Sequence, residues 1–138
     1  MALQLSVAVR NAMLDAIEVT VGATAILEFF SGAQPANCAA ADTGTKLTSD
    51  ALPADWLAAA SSGSKAKAGT WTAIGEAAAG AGTAAGHWRI KDSTGTTCGL
   101  QGSVTVTGGG GDVTLDNVSI ANLQVVTFSS FSLAAVNS

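Results

Sequence analysis

The sequence predicts a mainly β fold, specifically a jelly-roll-like antiparallel β-sandwich with one N-terminal α-helix. Three observations support this prediction. Seven or eight short segments alternate apolar and polar residues, as half-buried strands do. Glycine-rich turns separate these segments, and one stretch near the N-terminus has apolar residues at helical spacing. The chain has 138 residues, of which 48% are hydrophobic, which is enough for one hydrophobic core. We therefore predict a single domain over residues 1–138.

The first element is an N-terminal arm followed by a helix, together spanning about residues 1–22. Ser6 is a suitable N-cap and Gly22 a suitable stop, which predicts a helix over residues 6–21. One set of residues recurs at helical spacing and a polar set occupies the other face. The first set is Val9, Met13, Ala16, Ile17 and Thr20, and the second is Arg10, Asn11, Asp15 and Glu18.

The next part of the chain changes from a helical to a twofold period. Residues 25–31 are apolar on both faces, which predicts a strand covered on both sides. A second strand is predicted over residues 46–52 and a short helical turn over 55–60. Residues 75–86 are nearly pure Ala, Gly and Thr, which is typical of a loop.

The second half of the chain carries the clearest strand pattern. Residues 86–92 and 97–107 alternate and are joined by a turn, which predicts an antiparallel hairpin. The glycines of 108–111 are interpreted as a second hairpin connection, leading to a strand at 113–115. A last alternating run covers residues 123–133.

The alternation also predicts which side chains are buried. In the first strand of the hairpin, Trp88 and Ile90 face one way, while His87, Arg89 and Lys91 face the other. His87 is therefore interpreted as a surface or interface residue. The predicted core consists of Leu27, Trp88, Ile90, Leu100, Val104, Val106, Leu115 and Val125.

Composition and charge exclude several classes of function. Six Lys and Arg against ten Asp and Glu give a net charge of −4, which argues against nucleic-acid binding because phosphates require clustered cations. No apolar run approaches the length of a membrane span, so no membrane partner is expected. The N-terminus lacks the features of a signal peptide, and we expect synthesis in a cytoplasm.

The two cysteines, Cys38 and Cys98, match neither a metal-binding spacing nor a redox motif. A disulfide between them is sterically possible, but a reducing cytosol disfavours it. The sequence favours two small, buried or half-buried unpaired residues and leaves the disulfide open as the alternative.

The candidate catalytic motifs are weak, and we predict no enzymatic activity. Asp42, Thr43 and Gly44 form the triplet of aspartic proteases, in which paired carboxylates share a proton, but only a symmetric dimer could supply the second copy. A turn explains the triplet more simply. The single histidine, His87, lacks a nucleophile elbow, and no catalytic, cofactor-binding or metal-ligating residues are assigned.

The three tryptophans either fill the core or form a carbohydrate-binding platform. Trp71 and Trp88 are assigned to the core. Trp56 lies in a loop region and is the tryptophan expected to meet a partner.

Four stretches of the chain resemble small virion structural proteins of tailed bacteriophages. They are "MALQLSVAVRNAMLDAIE", "SGAQPANCAAADTGTKL", "GHWRIKDSTGTTCGLQGSV" and "VVTFSSFSL", and the resemblance runs over nearly the whole chain. One departure is that Gly99 follows Cys98 where relatives carry His, so no shared ligand is inferred there.

Within that class, size and composition are most similar to capsid cement, or decoration, proteins. The resemblance implies a homodimer or homotrimer that binds the major capsid protein on the outside of the head, without a cofactor. A tail-associated or receptor-binding β module is the alternative, and a dimeric aspartic protease using Asp42 the remote one.

Residues that could contact a partner are found at both ends of the chain and in one loop. Leu3, Leu5 and Val7 alternate as a short strand or arm would. Phe128 and Phe131 are expected on opposite faces of the last strand, one in the core and one available to a partner. The predicted interface is Leu3, Leu5, Val7, Trp56, Phe128 and Phe131.

Overall fold

The computed structural model describes residues 3–137, which are mainly β with one N-terminal helix. The helix α1 spans Val7–Val21, and a short 3₁₀ helix spans Ala77–Ala79. The strands of the described part are β1 Ile26–Ser31, β2 Asp50–Ala51, β3 Ser64–Ala66, β4 Trp71–Ile74, β5 Thr83–Lys91, β6 Cys98–Val106, β7 Val113–Leu115, β8 Ser119–Ile120, β9 Val125–Phe128 and β10 Ser132–Ala134. The mainly β prediction with one N-terminal helix is confirmed, while the first two residues of the predicted arm lie outside the described residues.

The bounds of α1 follow from its two caps. The Ser6 side chain accepts a hydrogen bond from the Val9 N–H at 3.3 Å, which satisfies one free donor of the first turn. Gly22 adopts a φ of 97° and donates its N–H to the Glu18 carbonyl at 2.8 Å. That positive φ favours glycine and ends the helix. Val7 is the first residue of α1 and not part of an extended arm.

The helix α1 packs on the domain through a face that carries polar side chains beside its buried apolar ones. Arg10 donates to the Ala135 carbonyl, and the three other polar residues accept backbone N–H groups of residues 56–63. The acceptors and their donors are Asn11 for Gly63 at 2.8 Å, Asp15 for Ala60 at 2.9 Å, and Glu18 for Trp56 at 2.8 Å and Leu57 at 3.0 Å. Leu14 and Val21 are buried on this same side, so the packed face of α1 is part apolar and part polar, whereas the face that carries Met13 and Val19 is exposed.

The main sheet has the order β2-β1-β5-β6-β7, with β8 pairing the first residues of β5. The long strand β5 lies at its centre, antiparallel to β1 and β6. Trp88 is paired with Phe29 of β1 on one side and Gly102 of β6 on the other. A Cβ at Gly102 would lie 2.7 Å from the indole of Trp88, so glycine leaves room for the ring. The predicted hairpin over 86–107 is confirmed.

The predicted hairpin at 108–111 is wrong, because β6 and β7 pair in parallel. Val104 is in register with Val113, and Val106 with Leu115. Parallel neighbours usually need a long crossover. Here the glycine-rich segment folds back along β6, and Gly111 donates its N–H to the Thr105 hydroxyl at 3.0 Å. The four glycines allow this tight return because they carry no Cβ.

The sheet curls as it continues beyond β1. Isolated bridges Phe30↔Lys46 and Thr48↔Gly75 connect β1 to the segment before β2 and then to β4, which pairs with β9. The predicted strand over 46–52 is thus reduced to Asp50–Ala51 and these bridges.

Three other sequence predictions differ from the structure. Residues 55–60 form no helical turn, because Leu57 bridges Lys67 in an extended segment. The run 123–133 is divided between β9 and β10, which pair with β4 and β3 respectively. The predicted loop over 75–86 contains the 3₁₀ helix and the start of β5.

The core lies between the curled sheet and the segments that fold over it. Five of the predicted core residues are buried, namely Leu27, Trp88, Ile90, Val104 and Leu115, and Leu100 is half-buried against them. The prediction is wrong for Val106 and Val125, which are 50% and 60% exposed. The last residue of β6 extends beyond the core, and in β9 the inward residues are Val126 and Phe128. Within residues 3–137, no helix is long and apolar enough to cross a bilayer.

Candidate functional site

The polar face of β5 is covered by the loop over residues 32–44. Arg89 is 1% exposed and donates to the carboxylate of Asp42 at 2.6 Å. Its guanidinium also donates to the carbonyl of Cys38 at 2.9 Å and to that of Ala40 at 3.0 and 3.1 Å. One buried cation therefore holds the backbone of the loop, with donors that match a planar fork.

The second cation of this face, Lys91, joins two carboxylates. Its Nζ lies 2.7 Å from Glu28 Oε2 and 2.7 Å from Asp42 Oδ2. Glu28 also accepts from Lys46 at 3.3 Å and from Ser49 at 3.1 Å. Burial disfavours the charged form of Lys91, but the hydrogen bonds to Asp42 and Glu28 outweigh it and raise the pKa of Lys91 above 10.5.

His87 is fully buried, so its expected place on the surface or at an interface is wrong. Its Nδ1 lies 3.1 Å from the Gly32 carbonyl, and its ring stacks on Phe30 with centroids 5.2 Å apart. The alternation along β5 was interpreted correctly. The loop that covers Arg89 also covers His87, so both faces of β5 are buried.

The two cysteines meet at the edge of the same loop. Cys98 Sγ lies 2.8 Å from Cys38 Sγ and 3.2 Å from the Leu100 carbonyl. Both thiols are free and half-buried, which is the state that the sequence favoured. Burial and the neighbouring Cys98 raise the pKa of the Cys38 thiol to about 11. A cleft of about 330 Å³ lies beside them, lined also by Asp42 and Thr96.

A larger groove of about 680 Å³ lies between β7 and β9. Its lining comes from Thr107, from residues 112–117 on the β7 side and from residues 124–132 on the β9 side. Val113, Leu115 and Phe128 are its buried apolar residues. Ser and Thr side chains are frequent along both of its sides.

Both sides of the groove are strand edges with one paired neighbour in the described part of the chain. The Gly75 N–H donates to the Gln124 carbonyl, and alternation along the antiparallel pair directs the backbone groups of Val125 and Thr127 away from β4. On the other side the Leu115 carbonyl accepts from the N–H of Thr107, the residue after β6, so the backbone of Thr114 points away from β6. The groove is therefore bordered by backbone donors and acceptors directed away from their own sheets.

The β7 side of the groove carries two carboxylates. Asp112 accepts hydrogen bonds from the Ser103 N–H and hydroxyl, both at 2.8 Å, which lower the pKa of Asp112 below its ordinary value. Asp116 accepts from the Thr107 hydroxyl at 3.0 Å and is exposed. None of the described residues that line the groove is Lys or Arg, so the groove presents negative charge.

The outer face of α1 is apolar and exposed. Met13 and Val19 are 54% and 84% exposed, and Val9 is exposed as well. The small residues Ala12 and Ala16 lie between them on the same face. We call Val9, Ala12, Met13, Ala16 and Val19 the outer face of α1. It is exposed because the opposite side of α1 is the one that packs on the domain.

The predicted arm residues lie next to the C-terminal segment. Leu3 is exposed, whereas Leu5 is half-buried and its N–H donates to Asn137 Oδ1 at 3.0 Å. Val7 belongs to α1 and is exposed. Leu3 and Val7 are therefore accessible to a partner.

Trp56 is fully buried, so its predicted contact with a partner is wrong. Its indole N–H donates to the Gly22 carbonyl at 3.0 Å, and its ring lies 6.0 Å from that of Trp71. Glu18 of α1 binds the backbone of this segment and holds Trp56 against the core. Trp71 and Trp88 are buried as predicted.

Phe128 and Phe131 both belong to the aromatic core, which contradicts the expected outward orientation of one of them. Phe128 stacks on Phe29 with centroids 5.6 Å apart. Phe131 is half-buried and lies 5.0 Å from Trp71 and 5.6 Å from Trp88. The strand break after Phe128 turns both rings inward.

Sequence reasoning missed the groove and the charged cluster on β5. Periodicity shows which side chains share a face of a strand, but the cover over that face comes from a loop distant in sequence. The three basic or aromatic positions His87, Arg89 and Lys91, with Glu28 on the neighbouring strand, were the available signal. Burying such a row of polar residues costs free energy unless carbonyl and carboxylate oxygens accept their hydrogen bonds.

Within residues 3–137, no cluster of three or more His, Cys, Asp or Glu side chains has the arrangement of a metal site. No known protein family, curated protein or solved structure matches this chain.

Proposed function

We propose that this chain is a bacteriophage capsid cement protein, which binds the outside of the head and stabilises contacts between major capsid subunits. The observation that carries the proposal is the groove between β7 and β9, bordered by two strand edges. The proposal takes its class of protein from the resemblance of the sequence to small virion proteins.

The groove fits an extended peptide segment. A strand placed in it would meet the outward backbone groups of Thr114 on one side and of Val125 and Thr127 on the other. Exposed strand edges are an aggregation hazard in a free protein. In an assembly the same edges provide main-chain hydrogen bonds to a partner.

The occupant that we propose is an extended, basic segment of the major capsid protein. Asp112 and Asp116 place negative charge on the β7 side, and the pKa of Asp112 is held low, so it remains ionised. Lys or Arg side chains flanking the inserted strand complement these carboxylates. Such complementarity sets the register and speeds association more than it adds affinity.

The outer face of α1 supports self-association as a homodimer or homotrimer. Its exposed apolar residues are flanked by alanines, which allow close approach of a second helix. A two-fold contact uses the same patch on both copies. Copies linked in this way and bound through their grooves hold several capsid subunits at once, so that weak contacts suffice.

We propose a structural role for Asp42 instead of the protease role that the triplet suggested. Burial favours the neutral acid, but hydrogen bonds from Lys91 and Arg89 outweigh it and lower the pKa of Asp42 below 3.8. An aspartic protease needs a proton shared between its carboxylates. The two cations instead hold Asp42 in its ionised form, and their ion pairs with it attach the loop to β5.

The tail-associated alternative depended on an exposed aromatic side chain that binds host glycans. Trp56 was the residue expected in that role, and it is buried. The groove is lined by Ser, Thr and Asp and suits a main-chain partner better, which favours the capsid location.

The jelly-roll-like sandwich is our proposal for the finer class of the fold. It is supported by the way that the β4–β9 pair packs on the main sheet, with Phe128 stacked on Phe29. The parallel β6–β7 pair is a departure from an all-antiparallel sandwich.

The groove is tested by co-sedimentation of the purified protein with capsids that lack it. Thr127→Pro removes an N–H directed away from β4, which is a position that proline tolerates at a strand edge. We expect this variant to fold and to lose capsid binding, whereas Thr127→Val keeps the N–H and binds as the parent does. Equal binding by both variants would contradict the proposed strand addition.

Copy number tests the location in the particle. Densitometry of purified virions is expected to give a number of copies close to that of the major capsid protein. A few copies per particle would support a tail-associated protein instead.

A further inference from the structure

We propose that Cys38 and Cys98 close an intramolecular disulfide when the folded protein meets an oxidising solution, and that this bond locks the loop over residues 32–44 onto the β5–β6 hairpin. The inference does not depend on the proposed function. It rests on where the fold places two residues that are 60 positions apart in the chain.

The first support is the position of the two sulfur atoms. Cys38 lies in the loop and Cys98 is the first residue of β6, yet their Sγ atoms are 2.8 Å apart. Bond formation requires the sulfurs to approach by less than about 1 Å. Both residues are half-buried beside the 330 Å³ cleft, so a small oxidant reaches them from solution.

The second support is that the loop is already held without the bond. Arg89 donates to the carbonyls of Cys38 and Ala40, and its ion pair with Asp42 fastens the same loop further along. The backbone on each side of the sulfurs therefore stays in place as the bond forms. A disulfide between preorganised residues adds little strain to the folded state.

The chemistry is thiol–disulfide exchange with a low-molecular-weight disulfide such as oxidised glutathione. A protein thiolate attacks one sulfur of glutathione disulfide, forms a mixed disulfide and releases one glutathione thiolate. The second protein thiolate attacks the protein sulfur of that mixed disulfide and releases the second glutathione. The two cysteines are oxidised by two electrons, the glutathione disulfide is reduced by two, and the two thiol protons pass to the released glutathiones.

The surroundings of Cys38 also predict that the pair stays reduced in a reducing cytoplasm. Burial, with the neighbouring Cys98, raises the pKa of the Cys38 thiol to about 11, which keeps the thiolate scarce at neutral pH. Exchange is then slow, and the cellular glutathione pool favours thiols. Release into an oxidising medium removes that reducing pool and lets the bond accumulate, faster at higher pH.

The test uses the full chain, purified with a reductant and then incubated with an excess of oxidised glutathione. We expect an intact mass lower by about 2 Da and loss of both alkylatable thiols, without dimers on a non-reducing gel. Because the bond closes a 60-residue separation, we expect the melting temperature to rise by about 10 °C and to fall back on reduction.

The controls are Cys38→Ser and Cys98→Ser, which keep the fold but cannot form the bond. Each is expected to show no change in melting temperature on addition of oxidant and reductant. Two free thiols after incubation, stable mixed disulfides or intermolecular dimers would each overturn the proposal. An intramolecular bond that leaves the melting temperature unchanged would contradict the claim that the disulfide locks the loop onto the hairpin.

Discussion

Arg89 and Asp42 form a 2.6 Å ion pair that joins the central strand to the loop covering it. The side chain of Arg89 is 2% exposed and that of Asp42 is 38% exposed, so the pair extends from the interior to the surface. Several carbonyls of the loop depend on the same guanidinium. The order of the loop therefore depends strongly on this one buried side chain.

Replacement of Arg89 is expected to destabilise the protein strongly. Arg89→Met keeps the apolar stem but leaves the loop carbonyls without their donor and Asp42 with Lys91 alone, at a cost of about 3 kcal/mol in the free energy of unfolding. Urea denaturation measures it. The matched control is Lys46→Met, which removes a cation that is 43% exposed and is expected to cost less than about 1 kcal/mol. Equal losses in the two variants would contradict the importance of burial.

The pH dependence of stability is expected to show a plateau with two limbs. Asp42 has a lowered pKa, so its stabilisation is present above its ordinary value of 3.8 and is lost as the pH falls through its folded value. Lys91 has a raised pKa, so its stabilisation is present below 10.5 and is lost as the pH rises through its folded value. Urea denaturation from acid to alkaline pH measures both limbs.

The variant Asp42→Asn tests how much of the loss of stability at acid pH is due to Asp42. It is expected to lower stability at neutral pH and to make the acid limb less steep. Asp15, Asp92 and Asp112 also have lowered pKa values and keep a residual acid limb in this variant. An acid limb identical to that of the parent would show that Asp42 takes no part in it.

The packing of α1 predicts that Glu18 is more sensitive to mutation than its exposed apolar neighbour Val19. Glu18→Ala removes the acceptor of the Trp56 and Leu57 N–H groups and is expected to cost about 2 kcal/mol. Val19→Ala, at the next position, changes a side chain that is 84% exposed and is expected to alter stability by less than about 0.5 kcal/mol. Thermal or urea unfolding of the two variants checks the ranking, and a larger loss for Val19→Ala would refute it.

The first and last residues of β9 are expected to differ sharply in their contribution to stability. Phe128→Ala removes a ring stacked on Phe29 and is expected to cost about 3 kcal/mol. Val125→Ala changes a side chain that is 60% exposed and is expected to have little effect. Comparison of their urea midpoints tests the inward direction of Phe128, and similar midpoints would show that direction to be wrong.

Charge reversal in the groove is expected to weaken capsid binding. Asp116→Lys places a cation beside the proposed basic segment, and we expect at least about tenfold weaker binding at low salt, with a smaller difference at high salt. Asp55→Lys makes the same change in charge outside the lining of the groove and serves as the control. Co-sedimentation with capsids at several salt concentrations measures both, and equal losses would indicate a general effect of net charge.

The sequence was informative where structure is local. The cap at Ser6, strand β1 and the β5–β6 hairpin follow from spacing and alternation, since these signals act within a few residues. The orientation of α1 could not be predicted in this way, because it depends on backbone donors of residues 56–63 that only the folded chain brings to Glu18.

The candidate site was less accessible from sequence for the same reason. His87 was assigned to the surface because alternation cannot show that residues 32–44 cover it. The parallel pairing of β6 with β7 depends on the return of a glycine-rich segment along its own strand, and the groove arises only from that pairing. The two cysteines gave no indication of proximity because their separation in sequence is large.

The central position of β5 has a consequence for the order of folding. Its partner β6 follows after a short turn, whereas residues 32–82 separate it from β1. Closing the short connection costs less chain entropy, so we expect the β5–β6 hairpin to form early and β1 to join later. The loop over residues 32–44 is ordered last, because its carbonyls need Arg89 already in place. A chain with so many distant pairings is expected to fold in about milliseconds to seconds, with its polar β5 face hydrated until the final step.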